Sequence, residues 1–161
     1  MRLNRWLGAA LLLLAACSPH PGGESQASTP AAPARHAISG LPVIPLTVTS
    51  GGGKLAFRVE VAKSEAEQER GLMFRTAMGA DEGMFFPMQP PRQAAFWMRN
   101  TVIPLDIIFI GRDRRILNIA ANAVPYDETP LPSAGLASGV LEINGGRAAQ
   151  LGIKAGDRVD W

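Results

Sequence analysis

Apolar and polar residues alternate along much of this chain with the period of a β-strand. Pro42 to Thr49 alternates and is rich in β-branched residues, which predicts an opening strand. Gly51-Gly52-Gly53 supplies a turn. From Leu55 to Val61, Leu55, Phe57, Val59 and Val61 share one face and Arg58 and Glu60 the other, so the two runs form a hairpin. Ser64-Glu65-Ala66-Glu67 breaks the alternation with a hydroxyl followed three residues later by Glu, a capping box. Acids in the first turn, Arg70 near the end and Gly71 beyond it predict one short helix. Strand patterns return at 83–88, 94–98 and 105–110, then at 115–123 after a turn over 111–114. Asp127 to Ser138, with Pro, Ser and Gly, reads as a long loop. Val140 to Asn144 is a strand, Gly146 to Leu151 a helical turn, and Arg158 to Trp161 a last strand. Many short strands, Gly/Pro turns and little helix predict a mainly β domain: a compact sandwich, jelly-roll-like or barrel-like fold with one or two short helices.

The N-terminus departs from this pattern. Arg2 and Arg5 precede an apolar run from Leu7 to Ala16, too short to span a bilayer, which takes about 20 apolar residues. Leu14-Ala15-Ala16-Cys17 then resembles a bacterial lipobox, with the chain's one cysteine where the lipid would be attached. Residues 1–16 are therefore expected to be a lipoprotein signal peptide and Cys17 the lipidation site. Such an acylated terminus would hold the protein on a membrane, in the cell envelope and facing the periplasm. Residues 17–40, composed largely of Pro, Ser, Ala, Gly and Gln, read as the lipidated Cys and a tether, and residues 41–161 as a single domain. The whole chain has 16 Lys+Arg against 14 Asp+Glu, but loss of Arg2 and Arg5 balances the charges. No basic face is left to argue for nucleic acid.

Candidate chemistry concentrates between Glu69 and Ile110, where every methionine but the initiator lies with five of the six phenylalanines. No cofactor or metal is expected: both histidines, His20 and His36, fall in the predicted tether, leaving no zinc set and no Cys–His or Ser–His pair in the domain. Met73, Met78, Met84, Met88 and Met98 are soft ligands suited to copper(I), yet core filling accounts for them. Glu69, Asp106 and Glu142 are acids in apolar surroundings, the raw material of either acid–base chemistry or internal ion pairs. Arg99-Asn100-Thr101 follows Phe96-Trp97-Met98, setting a guanidinium fork for a carboxylate or phosphate beside an aromatic wall. The competing expectation is that Asp106 answers Arg99 internally while Asn100 and Thr101 shape a turn. Gly145-Gly146 marks a turn whose backbone N–H groups could also hold an anion.

Five ordered motifs carry a family resemblance: Glu-Arg-Gly-Leu-Met-Phe-Arg at 69–75, Gly-Met-Phe-Phe at 83–86, Trp-Met-Arg-Asn-Thr at 97–101, Ile-Pro-Leu-Asp at 103–106 and Val-Leu-Glu-Ile-Asn-Gly-Gly at 140–146. Together they closely resemble the bacterial and archaeal family known as domain of unknown function 192, over about Val48 to Val159. The resemblance implies a compact, mainly β sandwich or jelly roll and no established activity, substrate or cofactor. Arg99 stands where that family commonly has Lys, which argues against amine chemistry at this position.

The expected function is a non-enzymatic, lipid-anchored envelope domain that binds a small ligand or a partner protein. Trp97, Arg99, Asn100, Asp106 and Glu142 form its candidate pocket, with Arg70 and Arg75 as second candidates. One alternative is a carboxylate-dependent hydrolase of an envelope polymer, which needs two acids roughly 5–10 Å apart on an open groove. The other is a structural assembly element.

Overall fold

The computed structural model describes residues 34–161. The expected signal peptide, Cys17 and most of the predicted tether lie outside the described residues. The domain is mainly β: one seven-stranded sheet, curled into a half-barrel, with two short helices. Strands β1 (Val43–Ser50) and β2 (Gly53–Val61) form the predicted antiparallel hairpin, Leu46 opposite Phe57 and Val48 opposite Leu55. Helix α1 (Glu65–Arg70) follows, then β3 (Glu82–Phe96), which pairs in parallel with β2. Next come β4 (Leu105–Gly111), β5 (Ile116–Ala123) and β6 (Leu131–Asn144), then helix α2 (Arg147–Leu151) and β7 (Arg158–Asp160). Their order across the sheet is β5-β4-β6-β3-β2-β1-β7.

Central strands bury both faces, and strand alternation sorts their side chains into two cores. Phe85, Ile108, Ile110, Leu141 and Ile143 join Val48, Val59 and Val159 in one. Their neighbours Met84, Phe86, Met88, Ile107, Phe109 and Val140 form the other, with Leu72 and Met98. Met84, Met88 and Met98 are thus core residues, as adaptable apolar side chains should be.

Helix α1 starts where the capping box predicts. Ser64 Oγ accepts from the Glu67 N–H at 3.3 Å, and the Glu67 carboxylate accepts from the Ser64 N–H at 2.8 Å. Because β2 and β3 run parallel, the chain must cross back between them, and α1 is part of that crossover.

Three expectations need correction. The stretches at 83–88 and 94–98 are one strand, β3, whose pairing with β6 slips between Pro87 and Arg92 and again between Gln93 and Ala95. The expected loop at 127–138 ends early, because β6 already begins at Leu131. Its small residues mark close packing: a Cβ on Gly139 would lie 2.6 Å from the Phe85 ring, and Ser133 Oγ accepts from the Ala94 N–H. The third correction concerns residues 34–40, which composition assigns to the tether. They belong with the domain: the Val43 N–H donates to the Ala34 carbonyl at 2.7 Å, and His36 Nδ1 lies 3.5 Å from Glu60.

The sheet's two edge strands also meet. Arg115, just before β5, bridges to Arg158 on β7, and the Ile116 and Val159 N–H groups donate to the Asp157 and Arg114 carbonyls. Trp161 seals this corner between Phe85, 4.6 Å between ring centroids, and the Arg114 guanidinium, 3.5 Å above the indole.

Candidate functional site

A cleft of about 250 Å³ opens beside the α1 crossover, on the sheet face that carries the second core. Glu142 lies at its buried end. The register explains why: Glu142 on β6 faces Met84 on β3 and Ile107 on β4, and both belong to that core. The carboxyl is therefore set among apolar side chains, with only 5% of the residue exposed. It makes no hydrogen bond and no ion pair to any described residue. No fully sealed polar side-chain atom among those residues lacks a partner, so the Glu142 oxygens retain access to the cleft. Burial pushes this carboxyl up to about 8, leaving it neutral at pH 7.

The walls and mouth are of the opposite character. Trp97 is half-exposed, and Phe86 and Phe96 meet edge to face at 5.1 Å along the lining. Arg99 is exposed and touches Glu128 only loosely, at 4.0 Å. Arg70 comes from the last turn of α1, and Arg92 from the irregular part of β3, where it donates to Gln68 Oε1 at 3.3 Å. Neither Arg70 nor Arg92 has an ion-pair partner among the described residues. Three guanidinium groups and an aromatic wall thus surround one buried, unpartnered acid.

Of the residues predicted from sequence, Trp97, Arg99, Arg70 and Glu142 line this cleft; Asp106, Arg75 and Asn100 do not. Asp106 lies opposite Ile143, one residue along from the Ile107–Glu142 pair, so its side chain points through the other face of the sheet. It does not face Arg99 either. It is fully buried and accepts from the Asn122 N–H at 2.7 Å, the Gly146 N–H at 2.9 Å and the Ala148 N–H at 2.7 Å. The Gly145-Gly146 turn does hold an anion, and that anion is the protein's own Asp106. Arg75 is buried against Glu60, with Nη1–Oε1 at 2.8 Å and Nη2–Oε2 at 3.1 Å, a bidentate internal pair. Asn100 takes a positive φ of 52°, which Asn tolerates, and its carbonyl accepts from the Phe74 N–H at 2.8 Å. It shapes the turn that carries Trp97 and Arg99.

Thr101 and Met73 also line the cleft, as do Arg92 and Gln68, which the sequence patterns do not single out. Arg92 follows Pro90-Pro91 in a stretch with no strand periodicity, so nothing local announces where it points. Gln68 was foreseeable, because it shares α1 with Arg70 and follows Glu65 by three residues.

A family model named DUF192, "Uncharacterized ACR", matches residues 46–161, nearly the whole described domain. The chain belongs to the DUF192 family. Among solved structures, a protein of unknown function from Novosphingobium aromaticivorans is similar to this chain, with 64% sequence identity. The match covers 87% of this chain and all of that one, at a TM-score of 0.79. A protein described as a putative transcription regulator from Sinorhizobium meliloti is 36% identical over 74% of this chain and 94% of its own, at a TM-score of 0.72. No curated protein is significantly similar in sequence.

Proposed function

We propose that this DUF192 domain is a lipid-anchored, non-enzymatic binding protein of the cell envelope whose cleft takes a small ligand with an anionic group and an apolar or planar body. The observation that carries the reading is the convergence of Arg70 from α1 with Trp97 and Arg99 from the turn after β3 on one cleft ending at the buried Glu142. Guanidinium groups without strong internal partners are suited to a carboxylate or phosphate, and the aromatic wall to the rest of the ligand. The description of the Sinorhizobium relative as a regulator is not carried over, because the expected mature chain has as many acidic as basic residues.

Aromatic carboxylic acids and phosphate monoesters, screened by thermal shift at pH 6.5, should include ligands that raise the melting temperature. Arg70→Ala with Arg99→Ala should weaken such a ligand ~10- to 100-fold, the scale of one lost charge-assisted contact or more. Equal affinity in the double variant would remove the reading. For the anchor, Cys17→Ala in the full-length precursor should move the protein from the membrane fraction to the soluble fraction. Retention on the membrane would overturn lipid anchoring.

A second reading has one observation in its favour: Glu69 and Glu142 line the same cleft, and a carboxyl neutral at pH 7 is the state a general acid requires. It predicts turnover of an envelope glycan that Glu142→Gln abolishes.

A further inference from the structure

Glu142 is the least expected group in the cleft. A carboxyl among Met84, Ile107 and the rest of the second core costs free energy, and no side chain of the described domain compensates it. The arginines that line the same cleft do not pair with it, although an internal Arg–Glu pair would have been the simple solution, as Arg75 and Glu60 show elsewhere in the domain. The cleft therefore keeps a buried acid and exposed guanidinium groups along one lining, with no ion pair closed between them. A purely anionic ligand uses the mouth alone and leaves the acid unpaired. A ligand with a cationic donor at one end and an anion at the other satisfies both.

We infer that the cleft binds a zwitterionic amino compound of the α-amino acid class, its carboxylate on Arg99 and Arg70, its ammonium on the Glu142 carboxylate and its side chain along Trp97. This rests on the binding function proposed above and adds the ammonium half. In the free protein at pH 7 Glu142 holds a proton. An ammonium beside it favours the ionised form, so the proton leaves to solvent as the ligand arrives and the bound pair is neutral overall. Bare amines lack the carboxylate for the arginines, and N-acylated amino acids lack the cation for Glu142.

Isothermal titration of the lipid-free chain with the common L-amino acids at pH 7, in HEPES and in Tris, tests this directly. At least one should bind with release of up to one proton, read from the difference in heat between the two buffers. Its N-acetyl derivative should bind at least ~10-fold more weakly, and so should the amine that lacks its carboxylate. Glu142→Gln should lose a similar factor together with the proton release, while keeping the fold, since Gln replaces a neutral acid of the same shape. An N-acetyl derivative that binds as well as the free amino acid, but still depends on Arg70 and Arg99, overturns the ammonium assignment and leaves the anion-binding function standing. No binding by any amino acid also overturns it; if the aromatic acids and phosphate esters fail as well, both fall.

Discussion

Glu142→Gln is expected to stabilise the domain at pH 8 and above by on the order of 4 kcal/mol, enough to raise the melting temperature by ~10 °C or more. Burial raises the Glu142 carboxyl from 4.5 to about 8 in the folded protein. Below pH 4.5 both folded and unfolded chains hold the proton, and the residue has no effect on pH dependence. Between the two values the unfolded chain has released its proton and the folded one has not, so raising the pH favours unfolding. Above about 8 the penalty is complete and constant. Urea unfolding at pH 5, 7 and 9 should show wild-type stability falling across that window, and the Gln variant should show a much shallower fall. Parallel curves for the two proteins would mean that Glu142 ionises freely in the fold. Such a stabilising substitution that also weakens ligand would mark a residue kept for function at the expense of stability.

Asp106→Asn is expected to act in the opposite direction, with a loss of ~3–5 kcal/mol. One Asp106 oxygen accepts from Asn122 and Gly146, the other from Ala148. An amide can keep the first oxygen, but it then turns an N–H₂ group towards the Ala148 N–H, setting donor against donor in a fully buried place. The midpoint of urea unfolding should fall, and hydrogen exchange at Gly146 and Ala148 should quicken. Affinity for a cleft ligand, measured under conditions where the variant is folded, should hold, since Asp106 faces the other core. A variant as stable as wild type would show that the three backbone contacts contribute little. The two buried acids are thus separated by one experiment: removing the charge helps at one and harms at the other.

Period-two alternation and turn chemistry were enough to read the β1–β2 hairpin, the Ser64 cap of α1 and the mainly β class, because these depend on neighbours in sequence. β6 was partly hidden because Pro132, Ser133 and Gly135 look like loop residues. Ser133 is there because its hydroxyl takes the Ala94 N–H of β3, a partner 39 residues away. For the site, residue types were informative and directions were not. Asp106 and Glu142 both looked like acids stranded in apolar runs, and only the pairing of Ile107 with Glu142 and of Ile143 with Asp106 sends them to opposite faces. A shift of one residue in that pairing would have placed both in the cleft. Arg75 likewise looked as available as Arg70; its partner, Glu60, is 15 residues away on β2.

The meeting of β5 and β7 at the Arg115–Arg158 bridge bears on how this protein tolerates crowding. A seven-stranded open sheet has two rows of unpaired backbone groups, each a template for another molecule's strand. Here part of each row is taken up by the other, and Trp161 caps the junction. Residues 158–161 therefore cover part of an edge on which another molecule's strand would otherwise pair. For a protein proposed to stand on a membrane, where copies meet at high local concentration, the joined edges leave less free backbone for strand pairing between copies.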